Sequence, residues 1–104
     1  MALAITDANF DEIAASDRLV VIDFWAQWCG PCKTLSPVVD ELAQTYEGKA
    51  IIGKVDVDDN PDIVDKFGIR SIPTVIFLKG GKQVDKTVGA LPKPELVAKI
   101  EANL

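Results

Sequence analysis

The stretch Leu19-Val20-Val21-Ile22-Asp23-Phe24-Trp25-Ala26-Gln27-Trp28-Cys29-Gly30-Pro31-Cys32-Lys33 decides the architecture of this chain. Its first seven residues are apolar apart from Asp23 and rich in β-branched and aromatic side chains. That pattern predicts a strand buried on both faces, hence one in the middle of a sheet. Beyond Lys33 the period changes. Leu35, Val38, Val39, Leu42, Ala43 and Tyr46 recur at helical spacing, and Gly48 closes the stripe. The two cysteines therefore stand where a buried strand hands over to a helix. Pro37 falls inside that helix, where its ring meets the carbonyl of Lys33, so a kink is expected at a cost of about 3 kcal/mol, offset by packing.

Outward from this junction, further strands are predicted at Ala50 to Asp56, Thr74 to Lys79 and Gln83 to Val88, the last two joined by a Gly80-Gly81 hairpin turn. Asn60-Pro61 opens a short helix that ends before Gly68. A final helix starts near Pro94-Glu95, with the acidic residue at the positive end of the dipole, and is expected to bury Leu96, Val97 and Ile100. Asp7 is expected to cap an early helix carrying Phe10 and Ile13, while the pairing of Ala2 to Ile5 is left open. The order β-α-β-α-β-α-β-β-α belongs to the α/β class. It implies a mixed sheet, parallel at first and ending in an antiparallel hairpin, with helices on both faces.

With 104 residues and 48% hydrophobic composition, a single domain over residues 1–104 is expected, with no boundary, repeat or low-complexity tract to divide it. Eleven basic against sixteen acidic residues give a net charge of -5, with no Lys/Arg cluster to neutralise phosphates, so nucleic acid and anionic membranes are poor partners. No apolar run, Leu19 to Ile22 included, approaches the roughly 20 residues of a membrane span. A cytoplasmic setting and a monomer are the expectations. In that compartment thiols stay reduced, and a cysteine pair points to catalysis or metal binding.

Cys29 and Cys32 are the only cysteines, three apart on a first helical turn, close enough to bond with a small adjustment. Near the helix N-terminus, unpaired N–H groups and the dipole stabilise a thiolate, which makes Cys29 the expected nucleophile. Cys32, one turn further in and facing the core, is held neutral by desolvation until it resolves a mixed disulfide. Pro31 suits a position whose N–H would be an orphan and stiffens the loop. Three other uses of the pair stay open from the residues alone. They are a zinc half-site shared between chains, since there is no third cysteine and no histidine; a static disulfide closing a very short loop; and two unrelated core cysteines. A module that binds partners or acts as a chaperone without redox turnover is the rival from another class, and replacing both cysteines would separate the two.

The run Phe24-Trp25-Ala26-Gln27-Trp28-Cys29-Gly30-Pro31-Cys32-Lys33 strongly resembles the active-site segment of thioredoxins. The likeness extends through Asp56-Val57-Asp58, Gly68-Ile69-Arg70-Ser71-Ile72-Pro73-Thr74 and Val88-Gly89-Ala90, and so covers nearly the whole chain. The resemblance implies the thioredoxin fold and a protein-disulfide reductase. Cys29 would attack a client protein's disulfide and Cys32 would release the product. A thioredoxin reductase would then restore the dithiol with electrons from NADPH. No cofactor or metal would be bound, and the sequence has no dinucleotide fingerprint, since Lys79-Gly80-Gly81-Lys82 reads as a hairpin turn. A histidine between the cysteines would favour an oxidant, and this chain has none, so reduction is the expected direction.

The resemblance also implies roles for residues that are ambiguous by themselves. Asp23 could be a strand-end carboxylate reaching water, but thioredoxins have a buried Asp at the matching position, thought to exchange the proton of the resolving cysteine. Lys54 could be a solvated edge lysine, but it matches the family's lysine beside that Asp. The Ile72-Pro73 bond alone would be read as trans; the family match implies cis, facing the cysteines, with backbone groups free to pair with an extended substrate. Trp28, Gly30, Pro31, Ile72, Pro73, Gly89 and Ala90 would then form a small apolar platform. Trp28 alone could equally be a core aromatic, and Trp25 is expected to pack structurally beside the site.

Overall fold

A computed structural model describes residues 1–104. The elements run β1 (Leu3–Ala4), α1 (Phe10–Ala14), β2 (Leu19–Trp25), α2 (Gly30–Thr45), β3 (Ala50–Asp56), α3 (Pro61–Phe67), β4 (Thr74–Lys79), β5 (Lys82–Val88) and α4 (Lys93–Asn103). The sheet order is β1-β3-β2-β4-β5. β1, β3 and β2 are mutually parallel, β4 runs antiparallel to β2, and β5 antiparallel to β4. The strand read as buried on both faces, β2, is thus the central one, with β3 and β4 on its two edges.

Alternation along β2 divides the interior. Leu19 and Val21 point into a core completed by Leu35, Val39 and Leu42 of α2 and Leu96 and Ile100 of α4. Val20, Ile22 and Phe24 point the other way, against Phe10 of α1 and Ile63 of α3. Helices therefore cover both faces. Each such fully buried aliphatic or aromatic side chain contributes about 1.5–3 kcal/mol relative to exposure. Asp23 belongs by its alternation to the α2 side, which sets up the chemistry below. No helix is long and apolar enough to cross a membrane.

Local differences from the expectations have local causes. The hairpin turn is two residues long, Gly80 and Gly81 both at positive φ (61° and 77°), so Lys82 directly opposes Lys79 and β5 begins one residue early. α4 buries Leu96 and Ile100, four apart, and leaves Val97 half-buried at the edge of that stripe. Of Ala2 to Ile5, only Leu3 and Ala4 pair, opposite Gly53 and Lys54 of β3. A Cβ on Gly53 would come within 2.7 Å of the Leu3 carbonyl, so this close edge requires glycine.

Asp7 caps a different helix from the one expected. At the start of α1, Thr6 and Asn9 instead exchange bonds, each side chain accepting the other's backbone N–H at 3.3 and 2.7 Å respectively. Asp7 accepts from the N–H groups of Asp62 (3.2 Å) and Ile63 (3.0 Å), the first turn of α3, and its own N–H donates to Asn60 Oδ1 at 2.9 Å. A cap supplied from a segment over fifty residues away ties the N-terminal segment to α3. Asp7→Ala is expected to lower stability by about 1 kcal/mol, seen as a lower denaturant midpoint at unchanged m-value; an unmoved midpoint would show that water caps α3 equally well.

Candidate active site

β2 ends at Trp25, and the chain turns through the fully buried Ala26 into α2. Cys29 is the N-cap of α2, its backbone still extended at φ -94°, ψ 109°. Its Sγ accepts the Cys32 N–H at 3.2 Å, the role a capping oxygen plays in other helices. Pro31 sits in the first turn, where a missing N–H costs nothing. The Cα atoms of Cys29 and Cys32 are 5.3 Å apart and their sulfurs are bonded, so the chain is in its oxidised form. Sixteen residues of α2 align their dipoles behind Cys29, so that on reduction its sulfur faces a positive helix end and an N–H already aimed at it.

The two cysteines are unequal in access, though less so than position alone suggests. Cys29 is 6% exposed and Cys32 is completely buried. Trp25, Val57 and Ile72 pack against them, and the Ile72 carbonyl lies 3.8 Å from Cys29 Sγ. Trp25 thus has the packing role expected of it.

Asp23 is 1% exposed, and both of its carboxylate oxygens are buried without a hydrogen-bond partner. Burial raises its pKa from 3.8 to about 7, Lys54 opposing the rise and Asp40 adding to it. A carboxyl so placed exchanges its proton near neutral pH. Lys54 stands directly across from Asp23 in the β2–β3 register. It is not a solvated edge lysine: its side chain is 16% exposed, and its ammonium is 2.9 Å from Asp40 Oδ1 and hydrogen-bonded to Ser36 Oγ. Lys54 therefore acts on Asp23 by its field, while its bonds go to α2.

Trp28 is not a core residue. It is 71% exposed, its indole N–H donating to Asp58 Oδ2 at 2.9 Å, which holds the ring on the surface beside the cysteines. Gly30, Pro31 and Ala90 are exposed, and Ile72 is half-buried. The Ile72-Pro73 bond is cis, as the family resemblance implied, and Pro73 is buried. Gly89, at φ 95°, donates its N–H to the Pro73 carbonyl at 2.8 Å, which brings the Gly89-Ala90 segment beside Pro73. Ile72 lies before the start of β4, and its N–H and C=O have no backbone partner.

Ser36, Asp40 and Asp58 were not singled out from the sequence. A signal existed for two of them: Cys32, Ser36 and Asp40 are spaced four apart on one face of α2, beneath the reactive turn. What they touch, however, depends on the register of β3.

The model of the Thioredoxin family matches residues 1–102. The chain is 57% identical over 100 residues to the thioredoxin of Chlorobaculum thiosulfatiphilum, covering 95% of this chain and 93% of that one. It is 51% identical over 104 residues to thioredoxin 1 of Nostoc sp., covering 99% and 97%. The crystal structure of Malassezia sympodialis thioredoxin superposes with a TM-score of 0.90 at 39% identity, over 98% of this chain and 90% of that one.

Proposed function

This chain belongs to the thioredoxin family, a protein-disulfide oxidoreductase whose redox group is its own cysteine pair with no bound cofactor, and we propose that it works as a reductant with Cys29 leading. The Cys29 thiolate attacks one sulfur of a client disulfide; a Cys29–client S–S bond forms and the other client sulfur leaves as a thiolate. Cys32 then gives its proton to the Asp23 carboxylate and attacks Cys29 Sγ. The Cys29–Cys32 bond closes, the second client thiolate departs, and two electrons have passed to the client. The observation that carries this reading is the asymmetry at one helix end. Cys29 caps α2 with an N–H on its sulfur, whereas Cys32 is sealed beside a core whose one carboxyl is bare and poised near pH 7.

Trp28, Gly30, Pro31, Ile72, Pro73, Gly89 and Ala90 serve as the client platform, the free N–H and C=O of Ile72 pairing with an extended segment. Disulfide-containing client proteins and a reductase are the partners of the family. For this chain we assign an NADPH-dependent thioredoxin reductase, a cytoplasmic setting, a monomer and a single domain over residues 1–104. Family membership supports a reductase partner, the bacterial relatives support the setting, and the continuous sheet between two cores supports the single domain.

The direction is tested by equilibrating the purified protein with glutathione buffers. A reduction potential below the cytosolic glutathione poise of about −220 to −260 mV is expected; a value near that of disulfide isomerases would overturn the assignment as a reductant.

A further inference from the structure

The Lys54 ammonium has two acceptors, and both lie on α2. Ser36 Oγ and Asp40 Oδ1 are one helical turn apart, on the stripe that begins at Cys32. Asp40 Oδ1 also accepts the Ala2 N–H at 3.0 Å, so the carboxylate is clamped from the N-terminal segment as well. Asp23, directly across the ladder from Lys54, receives no hydrogen bond from it or from any other group. A lysine beside a buried carboxylate would ordinarily donate to it, since that pairing relieves both desolvation costs. Here the donation goes elsewhere.

We propose that Asp40, helped by Ser36, is a positioning residue for the proton chemistry of Asp23: it holds the Lys54 ammonium on α2 and so keeps the Asp23 carboxyl without a bonded partner. This rests on Asp23 as the proton acceptor of Cys32. A carboxylate bonded to a lysine would be a weak base, unable to take a thiol's proton. A carboxyl with no positive neighbour at all would stay protonated and equally idle. Sharing the lysine between two carboxylates places Asp23 between these limits. The charged groups that bear on Asp23 are Lys54 from β3 and Asp40 from α2, while β4 brings only Val75 opposite it. Burial would push Asp40 up, but the Ala2 N–H and Lys54 hold it below its ordinary value, so it stays ionised and keeps its grip on the lysine across the range in which Asp23 titrates.

The test is to follow the Asp23 side-chain carboxyl by carbon NMR across pH, in the oxidised protein, where no cysteine titrates alongside it. Asp40→Asn keeps an acceptor for the Ala2 N–H but loses the charge that holds Lys54. The Asp23 midpoint is expected to fall by about one pH unit, a tenfold gain in acidity. Adding Asp40→Asn to Lys54→Met should move the midpoint much less, and Asp40→Glu should restore the original value. An unmoved midpoint in Asp40→Asn would overturn the proposal, as would an equal shift with and without Lys54, which would mean direct repulsion alone. Should Asp40→Asn fail to fold, Ser36→Ala releases one of the two bonds with the Asp40 charge in place; a downward shift supports the proposal and no shift overturns it. The pH profile of the resolving step separates the two readings. If the carboxyl midpoint falls and the profile does not follow, Asp40 positions Lys54 as proposed, but Asp23 is not the proton acceptor.

Discussion

Cys29→Ser is expected to lower the rate of protein-disulfide reduction by on the order of 10³-fold or more, to the limit of the assay. The reaction needs a sulfur nucleophile that is ionised near neutral pH and leaves readily, and serine's oxygen is neither. The site loses nothing else, because serine is nearly the same shape, fills the same N-cap and still accepts the Cys32 N–H now bound at 3.2 Å. Circular dichroism of the reduced proteins should therefore superimpose while activity disappears. Cys32→Ser should behave differently. Its Cys29 still attacks but cannot be resolved, so client proteins accumulate as mixed disulfides on Cys29 that dithiothreitol releases. Equal trapping of client mixed disulfides by the two single variants would contradict an attacker and a resolver. Replacing both cysteines with serine and finding client binding undiminished would favour the platform as a binding surface in its own right.

Asp23→Asn is expected to make the oxidised protein more stable at pH 8 while slowing resolution. The sign follows from where the proton sits. In the unfolded chain Asp23 ionises near 3.8; in the folded protein burial moves this to about 7, against the opposing field of Lys54. Between those values the folded state holds a proton that the unfolded state has released, so raising the pH weakens folding, and the penalty is complete above about pH 7. The span from 3.8 to about 7, at about 1.4 kcal/mol per pH unit, makes the penalty about 4 kcal/mol. Asparagine cannot ionise and escapes it. Its amide is as poorly hydrogen-bonded as the acid it replaces, which adds a constant cost, so the informative quantity is the pH dependence of the difference. Urea unfolding should show the variant gaining stability relative to the parent as pH rises from 4 to 8, and no gain below pH 4. Parallel curves would show that Asp23 is solvated in solution. Without its acceptor the resolving step should slow by about 10²–10⁴-fold at neutral pH. Stability would thus rise as function falls, the pattern of a buried charge kept for chemistry.

Much of the architecture was legible because its signals are local. The apolar run from Leu19 to Trp25 and the helical stripe from Leu35 to Tyr46 meet at two cysteines, and that meeting defined both the central strand and the reactive turn. Gly80-Gly81 and Asn60-Pro61 marked their turn and helix start through backbone preferences that need no distant partner. Asp23 was conspicuous as the one ionisable residue of a buried strand, yet the residues alone left open whether it reached water. For the Ile72-Pro73 bond composition favoured trans, and family resemblance pointed to the cis form found.

By itself the sequence determined the order of elements, the central strand and the helix that the cysteines open, while the chemistry of the pair came through family resemblance. The first three depend on side-chain periodicity and on which residue types stand next to one another. Tertiary structure decided which helix Asp7 caps, that only glycine at position 53 admits β1, and that Lys54 bonds to Ser36 and Asp40 while leaving Asp23 bare. Each of these joins residues far apart in the chain. A hydrogen bond or a burial cost exists only once strand register and helix placement have brought its partners within a few ångströms.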